Sequence, residues 1–220
     1  MRLRLVRQPF DHPDYIFELK HDGFRTIAYL QNGESKLVSR NQRNLGFEAL
    51  KRSLAKLPVE NASLDGEVIC LDAQGVSQFN QLLSRKGEPV FYAFDLLWLD
   101  GKDLRQIPLV ERKKRLARLV RAANCSRLLY SQQIEQHGKA FFAEICARDL
   151  EGIVAKRKLG IYKDDAPGWL KLTKPNLFAG RGTARTADSR QKSRRLTTRT
   201  ATAWTIGAQN LSGVRRADRD

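Results

Sequence analysis

The sequence predicts an α+β fold of mainly antiparallel sheets flanked by helices. Short apolar runs of strand length recur through the first 175 residues, and an Asn32-Gly33 pair sits between two of them. Helical periodicity is confined to a few separated segments, and no internal repeat is visible. The absence of a regular strand–helix–strand alternation argues against a doubly wound parallel sheet.

Taken in order, residues 15–20 read as a strand. Residues 26–30 and 35–38 flank Asn32-Gly33, whose tolerance of positive φ marks a hairpin. Residues 45–57 space Leu45, Leu50, Leu54 and Leu57 among charges and predict a helix. A strand over 63–71 ends at a Gln74-Gly75 turn, and a short helix is expected over 77–85. Residues 90–98 are almost continuously apolar and stop at Asp100-Gly101, as a central strand does. Residues 109–123 form an amphipathic pattern with Leu116, Leu119 and Val120 inward, and residues 139–150 repeat it with Phe142, Ile145 and Cys146. Residues 152–156 and 169–172 close the series as strands.

The 220 residues carry 40 Lys and Arg against 24 Asp and Glu, a net charge of +16. An excess of that size favours a polyanionic partner, because Lys and Arg displace counterions from phosphates. The charge is uneven: residues 1–175 carry a net +9 and residues 176–220 a net +7. The latter segment has only Phe178 and Trp204 as aromatics and little apolar periodicity. Too little apolar surface is available there to offset the entropy of ordering. The expected organisation is therefore a domain over 1–175 and a basic, disordered tail over 176–220. Without an apolar run of spanning length or a signal-peptide pattern in Met1–Phe10, neither a membrane nor secretion is indicated. Cys70, Cys125 and Cys146 lack close spacing and suggest reduced thiols in a cytoplasmic protein. Scattered His12, His21 and His137 offer no zinc pattern.

Several segments combine charge with apolar strand. Glu18-Leu19-Lys20-His21-Asp22-Gly23-Phe24-Arg25 puts a lysine at a strand end, then a glycine that permits close backbone approach, then a forked cation. A nucleophilic lysine needs a neutral amine, which cations, metal or burial can supply. Most strand-end lysines are simply solvated. Arg40 and Asn41 follow the next strand but one, as a polar loop would or as ribose and phosphate contacts. Asp65-Gly66-Glu67 places carboxylates inside an apolar strand, where each needs a partner. Strand alternation puts Asp65 and Glu67 on one face. Phe94 precedes Asp95 in an aromatic strand suited to core packing or to a purine. Glu151-Gly152 opens an apolar strand ending in Lys156 and suits Mg²⁺, which takes one or two carboxylates plus phosphates. Lys171 and Lys174 put cations on a late strand.

In this order the segments resemble the covalent nucleotidyltransferases: ATP-dependent DNA ligases, RNA ligases and mRNA-capping enzymes. Lys20-x-Asp22-Gly23 looks like the family's first motif. Ser39-Arg40-Asn41, Asp65-Gly66-Glu67, Phe94-Asp95, Glu151-Gly152 and Trp169-Leu170-Lys171 look like those that follow. The flanks of Lys20, from Pro9 to Arg25, are most similar to bacterial ligases of the nonhomologous end-joining type.

The resemblance implies an ATP-grasp-like nucleotidyltransferase core in which Lys20 attacks the α-phosphate of ATP. Glu18 would contact the adenine edge, and Phe94 would stack on the ring. Arg25, Arg40 and Glu67 would hold the ribose and phosphates, and Glu67 and Glu151 would bind Mg²⁺. Lys171 would neutralise the α-phosphate. The family's usual Lys-x-Lys is interrupted by Thr173, so the role of Lys174 is open. Implied partners are nicked or broken double-stranded DNA and end-joining repair proteins, met by a monomeric, nucleoid-associated chain. Family ligases follow this core with an OB-fold domain, and the 45 residues after Pro175 do not read as its five strands. Impaired nick sealing is the expectation that follows, with a non-catalytic nucleic-acid-binding remnant as the alternative.

Overall fold

The computed structural model describes residues 3–163 and 169–174. The expected basic tail over 176–220 lies outside the described residues. Two sheets organise the rest. The first has five strands in the order β1-β11-β10-β2-β9: Leu3–Leu5 (β1), His12–Leu19 (β2), Gln133–Gln136 (β9), Gly152–Arg157 (β10) and Trp169–Thr173 (β11). Only β1 runs parallel to its neighbour, β11. The second runs β4-β3-β5-β6-β7, with β8 also on β6: Phe24–Gln31 (β3), Glu34–Ser39 (β4), Asn61–Cys70 (β5), Pro89–Leu99 (β6), Lys102–Asp103 (β7) and Leu128–Tyr130 (β8). Here only the β6–β8 pair is parallel. The mainly antiparallel α+β architecture agrees with the sequence reading.

Each sheet has its own core. Leu37, Leu64, Val68, Phe91 and Leu96 pack with Leu50 and Leu54 of α1 (Glu48–Leu54), Leu82 of α2 (Phe79–Leu83), and Leu116 and Leu119 of α3 (Leu109–Ala123). Phe17, Ile153, Ala155 and Leu172 pack against Ile145 of α4 (Gly138–Ala147). Strand alternation then turns Val154, Lys156 and Trp169 to the opposite face, toward the second sheet. The gap between the two sheets is the cleft that matters below.

Three helices are shorter than the apolar spacing predicts; the one expected over 139–150, α4, stops at Ala147. Leu45 donates its backbone N–H to Leu37 of β4, which holds it extended, so α1 starts only at Glu48. Around α2, residues 77 and 78 are tied back to Leu71 and Cys70. Helix α3 matches its predicted bounds and ends at Asn124 in the left-handed region, φ 42°. Its N-cap, Pro108, has no capping side chain. Carbonyls of the segment after β10 serve instead: Leu109 N donates to Gly160 O (3.0 Å) and Val110 N to Lys158 O (3.1 Å). That segment ties the first sheet to the helix covering the second.

Candidate active site

Lys20 follows the last residue of β2, and its backbone N–H bonds Gly152 O at 2.9 Å. This places it beside Glu151, at the entrance to β10. Lys20 Nζ donates to Glu151 Oε1 at 2.5 Å, with both side chains about a fifth exposed. Glu151 Oε2 is buried and has no protein partner. The partner of the Lys20 amine is thus a carboxylate. Gly152 sits at φ +154°, and a Cβ there would lie 2.0 Å from Leu172 O. Only glycine lets β10 and β11 close at this point.

Two cavities flank Lys20. One, of about 440 Å³, is lined by Glu18, Lys20, His21, Arg25, Glu67, Tyr92, Phe94, Lys156 and Trp169, with Leu3, Leu19 and Val154. The other, of about 730 Å³, lies between the turn at Gly75–Ser77 and residues Asp149–Glu151, and includes Lys174. Lys20 and His21 line both.

Five of the expected site residues therefore share the first cavity: Glu18, Lys20, Arg25, Glu67 and Phe94. The strands explain this. Arg25 of β3 stands opposite Glu67 of β5, so both project to one face. Asp65, two residues earlier on β5, is fully buried and receives Arg25 through both Nε (2.6 Å) and Nη2 (2.5 Å). Tyr162 adds its hydroxyl to Asp65 Oδ2 at 2.8 Å. Burial pushes the Glu67 carboxyl up to about 7, against the pull of Arg25 and Lys20.

Phe94 owes its aim to a bulge. On β5, Asp65 pairs with Asp95 and Gly66 with Ala93, leaving Phe94 without a partner. Its ring meets the edge of Trp169 at 5.6 Å. Arg25 Cζ lies 4.8 Å and Lys156 Nζ 4.3 Å from the ring centroid. Phe94 and Trp169 form an aromatic wall studded with two cations.

The remaining expected residues lie elsewhere. Arg40 is exposed, and its backbone N–H, bonded to Arg25 O at 3.1 Å, is what links it to the site. Lys171 is half-buried on β11, in register with Val154 and on the face of Trp169, but does not line either cavity. Lys174 lines the second cavity and pairs with Asp149.

Gly23 also permits a close approach within the protein. A Cβ there would meet Val68 O at 2.3 Å, so the close contact is with β5.

Several residues were not singled out from sequence. His21 packs on the Tyr92 ring at 4.0 Å, and its Nδ1 lies 2.9 Å from Ser77 Oγ. Its Nε2 is buried without a partner. Burial and then adjacent Lys20 lower its pKa to about 4, so the ring is neutral at pH 7. Arg112 and Lys113 of α3 are 0% and 1% exposed. Arg112 closes on buried Asp95 at 2.7 and 2.8 Å. Lys113 reaches Glu18. Both cations precede Leu116 by one helical turn, so the stripe that buries Leu116 buries them too. That spacing was the available signal.

Among the described residues no group of three or more His, Cys, Asp or Glu forms a metal cage. What the site offers is a carboxylate pair. Glu151 has an unsatisfied buried oxygen, and Glu67 is a nearby acid. Such a donor set fits a cation that also takes phosphate oxygens, as Mg²⁺ does. Among the described residues no helix is long and apolar enough to cross a membrane. Cys70, Cys125 and Cys146 are free thiols.

The family model of the ATP dependent DNA ligase domain matches residues 5–173. The chain is 32% identical over 176 residues to the multifunctional non-homologous end joining protein LigD of Pseudomonas aeruginosa, covering 76% of this chain. It spans about a fifth (21%) of that protein's length. Its fold superposes on a mycobacterial DNA ligase D complexed with ATP and MES, with a TM-score of 0.65 and 29% identity. That match covers 78% of this chain and 60% of the other. The ligase domain of Mycobacterium tuberculosis LigD gives the same TM-score at 30% identity, covering 77% and 57%. The matched span runs from the end of β1 to the end of β11 and contains Lys20 and most of the lining of both cavities: the chain belongs to the ATP-dependent DNA ligase domain family.

Proposed function

We propose that this protein transfers AMP from ATP to its own Lys20 and serves DNA strand-break sealing. The observation that carries the reading is the position of Lys20. It stands between two cavities, with its amine on one oxygen of Glu151 while the other oxygen is buried and unpartnered. One cavity has an aromatic wall and a buried carboxylate suited to a nucleoside. The mycobacterial DNA ligase D structure is complexed with ATP, which supports a nucleotide as the ligand.

In this reading adenine enters against Phe94 with its amino edge toward Glu18. The Lys20 ammonium gives up one proton, for which Glu151 Oε1 is in hydrogen-bonding position; its lone pair attacks the α-phosphorus, and a second proton passes from the nitrogen to solvent as the bond forms. The new bond is P–N. The bond from the α-phosphorus to the bridging oxygen breaks, and its electrons leave with pyrophosphate. Holding amine and phosphate together removes the entropic part of the barrier. Arg25 and Glu67 border the sugar and phosphates, and Lys171 and Arg40 lie at the edge of that region. Lys174 faces the departing group from the second cavity. Mg²⁺, held by Glu67 and Glu151, would neutralise charge developing on the phosphate oxygens.

The second step, transfer of AMP to a 5′-phosphate at a DNA break, is proposed on family membership. Residues 1–175 form the catalytic domain in this proposal, and the +7 segment over 176–220 contributes backbone-phosphate contacts. Deleting 176–220 is then expected to weaken DNA binding and flatten its salt dependence. End-joining repair proteins are the proposed partners.

The test is incubation with ATP labelled at the α- or γ-phosphate, followed by denaturation. Label retained from the α position alone supports adenylylation. No retained label in folded protein free of prior AMP leaves a nucleic-acid-binding role. Substituting GTP or NAD separates this chemistry from capping-type and NAD-dependent relatives.

A further inference from the structure

Glu18 is only 2% exposed, yet it forms part of the nucleotide cavity. Three donors converge on it. Lys113 Nζ donates to Oε1 at 2.7 Å, Lys156 Nζ to Oε2 at 2.8 Å, and Ser131 Oγ to Oε2 at 2.9 Å. A carboxylate has about four acceptor positions. One therefore remains, on Oε1. Burial alone would raise this carboxyl, but Lys113 and Lys156 override it and hold Glu18 below its ordinary range.

The two lysines differ in placement. Lys156 lines the cavity, over the rings of Phe94 and Trp169. Lys113 does not line it. It enters from α3, covers the Tyr130 ring at 4.5 Å and also donates to Ser131 O at 2.9 Å. Its neighbour Arg112 reaches Asp95, the residue after Phe94 on the other sheet. Consecutive residues of one helix thus fix the carboxylate on one side of the cavity and the aromatic strand on the other.

We propose that Lys113 is a positioning residue for nucleobase selection: it holds Glu18 oriented so that its one free acceptor position takes an amino group and rejects a carbonyl. This rests on the proposed reading of Glu18 at the adenine edge. Adenine presents an amino donor where guanine presents a carbonyl acceptor. An ionised carboxylate accepts only; a protonated one can donate to guanine's carbonyl, and one turned away from the base no longer discriminates. Sites that hydrogen-bond a substrate group discriminate strongly against analogues lacking it. Lys113 therefore sets specificity without touching the base.

Equilibrium binding of ATP and GTP to the full chain tests this, in a Lys20→Ala background that blocks the covalent step. The parent is expected to prefer ATP. Lys113→Met is expected to reduce the ratio of GTP Kd to ATP Kd by about tenfold or more, or 1.4 kcal/mol. Lys113→Arg is expected to recover most of it. A merely structural lysine would lower the melting temperature and leave the ratio alone. If Lys113→Met does not fold, Ser131→Ala removes a milder contact to the same carboxylate and should move the ratio in the same direction. A folded Lys113→Met, or in its place Ser131→Ala, with the parent ratio overturns the proposal. If Glu18→Gln flattens the ratio in that case, the reading of Glu18 survives and only the part given to Lys113 falls. A parent that binds neither nucleotide, or both equally, overturns the reading of Glu18 together with the proposal.

Discussion

Replacing Arg112 by Met should cost more stability than any change to an exposed arginine of this chain. Arg112 and Asp95 are both fully buried. The guanidinium supplies Asp95 with two hydrogen bonds, at 2.7 and 2.8 Å, and caps the carbonyls of Ile107 (2.6 Å) and Gly160 (3.1 Å). Methionine fills much of the same volume but leaves Asp95 with only the Leu96 N–H at 2.9 Å. Breaking a buried pair from one side costs about 3–5 kcal/mol, chiefly because the other charge is left unpaired. With a urea m-value of about 2 kcal/mol/M, the unfolding midpoint should fall by roughly 2 M. The double variant Asp95→Leu/Arg112→Met removes the stranded charge and should be more stable than the sum of its parts, by at least about 1 kcal/mol. A midpoint for Arg112→Met within about 0.5 M of wild type, or strict additivity in the double variant, would refute the reasoning.

Three further outcomes are expected. Gly152→Ala should destabilise far more than Gly101→Ala in urea melts. Both have positive φ, but the first Cβ would meet a backbone oxygen at 2.0 Å and the second meets nothing within 4 Å; equal costs would contradict the contact. The His21 ring should stay unprotonated in an NMR titration until about pH 4. Since the unfolded ring titrates near 6.5, its contribution to stability is complete above 6.5 and is lost as pH falls toward 4; titration near 6.5 in the folded protein would contradict its burial. Trp169→Leu should weaken ATP binding, because it removes the ring face over which Arg25 and Lys156 lie; an unchanged Kd would take Trp169 out of the site.

The fold was legible where apolar pattern and structure share a cause. The run ending at Asp100-Gly101 is β6, and the periodicity over 109–123 is α3 to the residue. Strands β8 and β9, of three and four residues, carry too little pattern of their own and exist by pairing with β6 and β2. In the site, Tyr92 and Phe94 both line the first cavity. The bulge that frees Phe94 depends on two strands at once and cannot be read from either. The buried cations were hidden for a different reason. Polarity suggests that Arg112, Lys113 and Lys156 face water, and only their carboxylate partners, up to 138 positions away, make their burial tolerable.

Adenylylation at Lys20 is tested most directly by locating the nucleotide. Protein incubated with α-labelled ATP and Mg²⁺ is denatured and digested, and the labelled peptide is identified by mass, with Lys20→Ala and Glu151→Gln alongside. The account predicts AMP on the peptide containing Lys20, none in Lys20→Ala and strongly reduced transfer in Glu151→Gln. AMP on another residue, or undiminished labelling of Lys20→Ala, would contradict it.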